Sequence, residues 1–204
     1  MARRVVDESM RRYYDQRAHE YDDWWLGRGL FAKRPRPGWS DEVDELVSVI
    51  GALPPARTLD VACGTGMLTR HLPGEVVALD QSDAMVAVAA ERMPEVRVVQ
   101  GDAVPLPFED GEFERVFTSH FYGHLLPDER GQFLDEAWRV ARELVVVDSA
   151  LREDVQPEEH QERVLNDGSR HTVYKRFFSA EELAAELGGG RVLHAGRWFV
   201  AAAA

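Results

Sequence analysis

The stretch "LDVACGTGMLTRHL", Leu59 to Leu72, decides the fold of this 204-residue chain. An apolar, β-branched run ends at Asp60 to Ala62, Gly64 and Gly66 follow at once, and a helix is expected to open at about Met67. Glycines at such a junction let the backbone turn sharply and let a ligand approach with no Cβ in the way. A bare G-x-G occurs in many turns. Its place between a strand and a helix gives it meaning, and so does Asp80, the acid that closes the next strand in "VVALD". An acid at that point can accept hydrogen bonds from both hydroxyls of a ribose, so the pair of features predicts a nucleoside cofactor.

Outward from this stretch, short β-rich runs alternate with helical ones: "EVVALD" then "SDAMVAVAAERM", "VRVVQ", "FERVFTS" then "PDERGQFLDEAWRV", and "ELVVVDSA". That rhythm means crossover units and a doubly wound α/β core with a parallel sheet covered on both faces. Ahead of it, apolar and aromatic residues from Val5 to about Trp25 recur at three and four spacing, as on one amphipathic helix or two short ones. A second helix, "SDEVDELVSVIGAL", starts with Ser40 as N-cap. Residues 1–45 thus read as a helical lid and 46–204 as the core of what is one domain overall. Beyond the core, Leu151 to Phe178 is polar, with "HTVYKRFF" a candidate extra strand after the turn "NDGS". "SAEELAAEL" is a helix capped by Ser179, and "RVLHAGRWFV" reads as a hairpin.

Composition narrows the function. A formal net charge of −12 argues against nucleic acid, whose binding rests on Lys and Arg neutralising phosphates. Cys63 is the single cysteine, so an intramolecular disulfide and a cysteine-rich zinc site are both excluded. No apolar run reaches membrane-spanning length and no secretory signal is visible, so no membrane partner is expected and the cytoplasm is the default location.

Taken together, "LDVACGTG", the acid in "LDQS", "VVQGDAVPLPFED", "FERVFTSHFYGHL", "RVARELVVVDS" and the N-terminal "YYDQRAHEYDDWW" resemble the ordered motifs of the class I S-adenosylmethionine-dependent methyltransferases of the small-molecule type. The resemblance covers almost the whole chain. It implies a Rossmann-like seven-stranded sheet, mostly parallel with an antiparallel last strand, and S-adenosylmethionine as cofactor with S-adenosylhomocysteine as product. It also implies that Asp60 and the backbone of Cys63, Gly64 and Gly66 hold the methionine part, and that Asp80 binds the ribose. Gln81 and Met85 would flank the adenine, Asp102 and Ala103 would meet its amine, and Ser119 would lie near the sulfonium. Tyr14, Arg17 and Tyr21 would close over the cofactor, with Arg17 a partner for its carboxylate.

A sulfonium methyl is already activated, so the protein has mainly to align an acceptor, exclude water and, where the acceptor is protonated, remove a proton. No metal site is expected. The acceptor side is open to several readings. Tyr13, Tyr14, Tyr21, Trp24, Trp25, Phe31 and Trp39 form either an apolar lid or the docking face of the N-terminal helices. Arg28, Lys33, Arg34 and Arg36 either recruit an anionic acceptor or form a solvated loop. In "TSHFYGHLL", His120 and His124 lack a H-E-x-x-H pattern or a cysteine partner, which turns them from metal ligands into candidate bases or strand caps, with Tyr122 beside them. Two rival classes remain. A nicotinamide-dependent oxidoreductase would want a glycine where Thr69 stands, and a non-catalytic cofactor-binding module would keep the fold without turnover. The reading is a methyltransferase for a small-molecule acceptor, monomeric or homodimeric, without a quinone substrate assigned.

Overall fold

The structure, a computed structural model, describes residues 8–204. The helical start expected at Val5 and the first seven residues of the 1–45 segment lie outside the described residues. Seven strands form one sheet in the order β3 (Arg97–Gln100), β2 (Gly74–Asp80), β1 (Ala56–Val61), β4 (Arg115–Ser119), β5 (Glu143–Ser149), β9 (Phe199–Ala203) and β8 (Arg191–Ala195). Strands β1 to β5 pair in parallel, whereas β9 runs antiparallel to both β5 and β8. This is the mostly parallel sheet with an antiparallel last strand that the resemblance implied.

Helices cover both faces, which is why the central strands are continuous apolar runs: Leu144 to Val147 are wholly buried. On one face α3 (Trp39–Gly51) packs Leu46 and Ile50 against Val145, Val147 and Phe199. On the other, α5 (Pro127–Val140) and α6 (Ala180–Glu186) bring Phe133, Ala137 and Leu183 against Leu59, Val116 and Val146. Strand order reverses between β1 and β4, so a crevice opens at their carboxyl ends. Register aligns Val61 with Leu79 on one side and Thr118 on the other, setting Ala62, Asp80 and Ser119 along one edge.

Two expectations are corrected and a third, the extra strand in the polar segment, is extended. No α-helix follows the glycine loop; only a 3₁₀ turn, Thr69–His71, forms there. Pro73 and the start of β2 at Gly74 come too soon after Gly66 for a helix to develop, and Leu72 is already extended. Helix α3 starts at Trp39 rather than after Ser40, with left-handed Gly38 as its cap residue, and it runs unbroken through residues 45 and 46. The polar segment holds two strands, β6 (Glu158–Val164) and β7 (Arg170–Arg176), paired antiparallel as a separate sheet.

The N-terminal part folds as α1 (Glu8–Arg17), a 3₁₀ turn Ala18–Glu20, and α2 (Asp22–Leu26). It is pinned beside the glycine loop by side-chain bonds. Ser82 Oγ donates to Asp15 at 2.6 Å, Thr65 Oγ1 donates to Asp22 at 2.6 Å, and Arg92 forms an ion pair with Asp22. Tyr13 is buried against Leu165 and Val173 of the β6–β7 hairpin. Glu20 accepts the Asn166 backbone N–H at 2.9 Å. The N-terminal helices and the hairpin together roof the carboxyl edge of the sheet.

Candidate functional site

A cleft at the ends of β1, β2 and β4 encloses about 510 Å³ of space, counting the open solvent at its mouth. Ala62, Gly64, Asp80, Gln81, Gly101, Ala103, Ser119 and His120 line it, under Tyr14 and Tyr21. Asp80 is fixed by two backbone donors, the N–H of Gly64 and of Ser82, each at 2.9 Å. Burial nevertheless pushes its carboxyl up to about 6, against those donors. Gly64 has φ +56°, and a Cβ there would stand 3.6 Å from the Tyr21 ring. Gly66 serves packing instead: its φ is +76°, and a Cβ would lie 2.4 Å from Met93 Cε. Among the described residues only Ala62 (φ +59°) and His120 (φ +54°) are non-glycines in the left-handed region. Each such residue costs on the order of 1–3 kcal/mol, and both sit at strand ends on the cleft wall.

Beneath the glycine loop, Asp60 Oδ2 accepts from Thr69 Oγ1 at 2.5 Å, while Oδ1 is buried with no partner. Burial pushes this carboxyl up to about 8. A buried carboxylate with one orphaned oxygen fits a ligand that brings positive charge or a donor to that spot. S-adenosylmethionine carries both an ammonium and a sulfonium, so the residues present fit it.

The expected cofactor residues distribute unevenly around this cleft. Tyr14, Tyr21, Gly64, Asp80, Gln81, Ala103 and Ser119 line it; Asp102 is half-buried between the lining residues Gly101 and Ala103. Cys63 faces Ala78, Ala89 and Met93. Met85 is fully buried in α4 (Asp83–Arg92), its N–H bonded to the capping Ser82 Oγ at 3.1 Å. Tyr122 turns away into the core, donating its hydroxyl to Glu186 at 3.0 Å and stacking on Phe178.

A second chamber of about 370 Å³, counting the open solvent at its mouth, adjoins the first and shares Tyr14, Tyr21 and His120 with it. Its other walls are Arg17, Trp24, His124, Ser149, Arg163 and Lys175. Lys175 forms a buried ion pair with Asp148, which also accepts the backbone N–H groups of Gly123 and Ser149, each at 2.7 Å. Burial alone would raise the Asp148 carboxyl; the Lys175 ammonium reverses this and holds it below the usual range. The His120 ring sits edge-on to Trp24 and Trp25. Its Nδ1 lies 3.4 Å from Ser149 Oγ and 4.0 Å from Asp148, and its Nε2 is buried without a partner. A proton on Nδ1, toward the carboxylate, leaves a lone pair on Nε2. Burial pushes the imidazole down to about 3, opposed by Asp148 and reinforced by Lys175, Arg17 and Arg163, so it is neutral. His124 is also held neutral, first by burial; its Nδ1 lies 2.7 Å from the Tyr174 carbonyl and donates to it.

The basic loop residues do not line either chamber. Arg36 lies over the Trp39 ring at 3.8 Å and donates to the Trp24 carbonyl, and Arg34 lies over Phe31. His171 packs on Tyr13. No group of three or more His, Cys, Asp or Glu side chains suited to a metal ion occurs among the described residues, and no helix among them is long and apolar enough to cross a membrane.

The seven-stranded order, the glycine loop and the acid at the end of β2 define a Rossmann-like methyltransferase fold. Comparison with known proteins agrees. Residues 59–145 match the family described as "Methyltransferase domain". The fold matches DhpI in a DhpI-SAM-HEP complex with a TM-score of 0.78 and 27% identity, over 100% of this chain and 99% of that one. A DhpI-SAH complex matches at 0.72 and 29%, over 96% and 94%. Demethylmenaquinone methyltransferase of Beutenbergia cavernae is 39% identical over 99 residues, which is 47% of this chain and 40% of that protein. An uncharacterized methyltransferase of Alkaliphilus oremlandii is 24% identical over 179 residues, 85% of this chain and 79% of that one. Residues 59–145 thus carry a methyltransferase domain, and the chain has the fold of S-adenosylmethionine-dependent methyltransferases. It spans only about 40% of the length of the demethylmenaquinone methyltransferases that it matches.

Proposed function

We propose that this protein transfers the methyl group of S-adenosylmethionine to a small organic acceptor by in-line displacement, without a metal ion, in the cytoplasm. The observation that carries the reading is the pair of chambers that meet at Tyr14, Tyr21 and His120. The cofactor occupies the first. Asp80 binds its ribose, Gln81, Asp102 and Ala103 surround the adenine with Met85 packed beneath, and Asp60 with the loop of Cys63, Gly64 and Gly66 serves the methionine part. His120 stands where the two chambers meet, with Ser119 next to it on the wall of the first, so the methyl points toward the acceptor.

The group supplies an activated methyl; this chain's residues align the acceptor and keep water out. His120 is placed to meet the acceptor, yet its surroundings hold it neutral down to about 3. We therefore assign it as a hydrogen-bond acceptor through Nε2 that orients the reacting group, rather than as a proton store. Tyr122 and His124, both engaged in bonds of their own, support the chamber wall. The Beutenbergia and Renibacterium demethylmenaquinone methyltransferases share less than half of their length with this chain, and a quinone acceptor is not part of the proposal.

Titration calorimetry with S-adenosylhomocysteine tests the first chamber: saturable binding is expected, and absence of heat at millimolar ligand would overturn the reading. Transfer of label from methyl-labelled S-adenosylmethionine into mixtures of small acceptors tests turnover; tight binding with no labelled product from any mixture would mark a module that binds without catalysis.

A further inference from the structure

The second chamber concentrates positive charge in a chain whose formal net charge is −12. Arg17, Arg163 and Lys175 all reach its wall. Of these only Lys175 has a carboxylate partner among the described residues, and that partner, Asp148, lies fully buried below. Both histidines on the wall are neutral, so they add no charge and offer no compensation. Three cations against one carboxylate leave a surplus of two.

Like charges gathered in a roofed space oppose each other more strongly than they would in water, and an arrangement of this kind persists where a ligand of opposite sign offsets it. Arg17 lines the second chamber but lies over the ring of Tyr21, which both chambers share, and from there can serve the carboxylate of the cofactor. Arg163 and Lys175 then remain. They stand on the adjacent strands β6 and β7 of one hairpin, four positions apart in its register, with the Ser149 hydroxyl on the same wall. A planar guanidinium and an ammonium on one chamber wall are a donor set that can recognise an oxyanion, bidentate from the arginine and as a point charge from the lysine.

We propose that the methyl acceptor is a small organic oxyacid, carboxylate or phosphoryl, anchored by Arg163 and Lys175 in the second chamber. The inference rests on the methyltransferase reading, since it takes the first chamber to hold the cofactor. It moves acceptor recognition away from the exposed basic loop of Arg28, Lys33, Arg34 and Arg36 and onto the β6–β7 hairpin. Arg163 is the specificity-determining residue for this class.

The test uses the full chain saturated with S-adenosylhomocysteine, so that no probe anion can take the place of the cofactor's own carboxylate. Inorganic phosphate and acetate are titrated separately at constant ionic strength, and the tryptophan emission, to which Trp24 on the chamber wall contributes, is the readout. Saturable change with either anion supports the proposal, and which of them binds more tightly names the phosphoryl or the carboxylate class. Arg163→Gln should weaken that binding at least about tenfold, as expected for loss of a charge-assisted pair, and Arg163→Lys should restore part of it. Affinity for S-adenosylhomocysteine should stay within about twofold in both variants, because Arg163 does not line the first chamber. No saturable response to either anion, or equal affinity in wild type and Arg163→Gln, would overturn the proposal. Failure of S-adenosylhomocysteine itself to bind is a separate result that strikes the methyltransferase reading instead.

Discussion

The two chambers share three side chains and differ in the titratable groups around them. The first has no lysine or arginine on its wall and is served by Asp60 and Asp80, whose carboxyls burial pushes up to about 8 and about 6. The second has three cations and two imidazoles that burial pushes down. Each therefore lacks the charge that its proposed ligand brings, a sulfonium with an ammonium in one and an oxyanion in the other. Where they meet, His120 is neutral and carries an unused lone pair. The difference teaches that the specificity of each side resides in the charge its wall leaves uncompensated, while the aromatic residues supply shape to both.

The harshest way to break this contrast is Lys175→Met. It strands the buried Asp148 without its ammonium and should cost about 3–5 kcal/mol in urea unfolding, with part regained in the Lys175→Met/Asp148→Asn double variant. On the other side, Asp80→Asn removes the charged acceptor for the ribose and should weaken S-adenosylhomocysteine by about 3 kcal/mol, on the order of a hundredfold, in calorimetry. Phosphate binding by the second chamber should not change with it.

Next in size is a pH effect that belongs to the first chamber alone. Asp60 titrates near 8 in the folded protein and near 4 unfolded, so the folded state holds the extra proton between those limits. Its contribution is fully present below about pH 4 and is lost as pH rises through about 8. Between about pH 7.5 and 8, where unfolded histidines are mostly neutral, stability of the free protein should fall with a slope of up to about 1.4 kcal/mol per pH unit. S-adenosylhomocysteine should flatten that slope, and Asp60→Asn should abolish it; a slope that persists in the variant would refute the assignment. The smallest effect is expected at the shared wall. His120→Asn, with a residue that tolerates its left-handed backbone, should lower turnover by about tenfold and leave cofactor affinity intact. A loss beyond about a thousandfold, with a pH limb that vanishes, would restore His120 as a general base.

Much of the first chamber was legible because its signals are local. Gly64, Gly66 and Asp80 sit at fixed offsets from strand ends, and parallel strands bring strand ends together. Finer contacts were less so: nothing in the spacing shows that Gly66 packs on Met93 or that Met85 lies beneath the wall. The second chamber was hardly legible. Arg163 and Lys175 come from a hairpin whose first strand, "EEHQERV", has no apolar alternation to announce it. They meet His120 only through tertiary packing. One signal for it does lie in the sequence: Asp148 stands near the end of β5 in "VVVDS" much as Asp80 closes β2 in "VVALD".

The clasp between Tyr13, Leu165 and Val173 shares no residue with the clusters that pack against the sheet. A unit held by so few apolar contacts opens at a free energy below that of global unfolding. Amides of β6 and β7 should thus exchange with solvent ahead of those of β1, β4 and β5. Because Arg163 and Lys175 ride on that same unit, an anion held between them and the sheet would act as a latch, and the slowest hydrogens of the hairpin would report how long the acceptor stays.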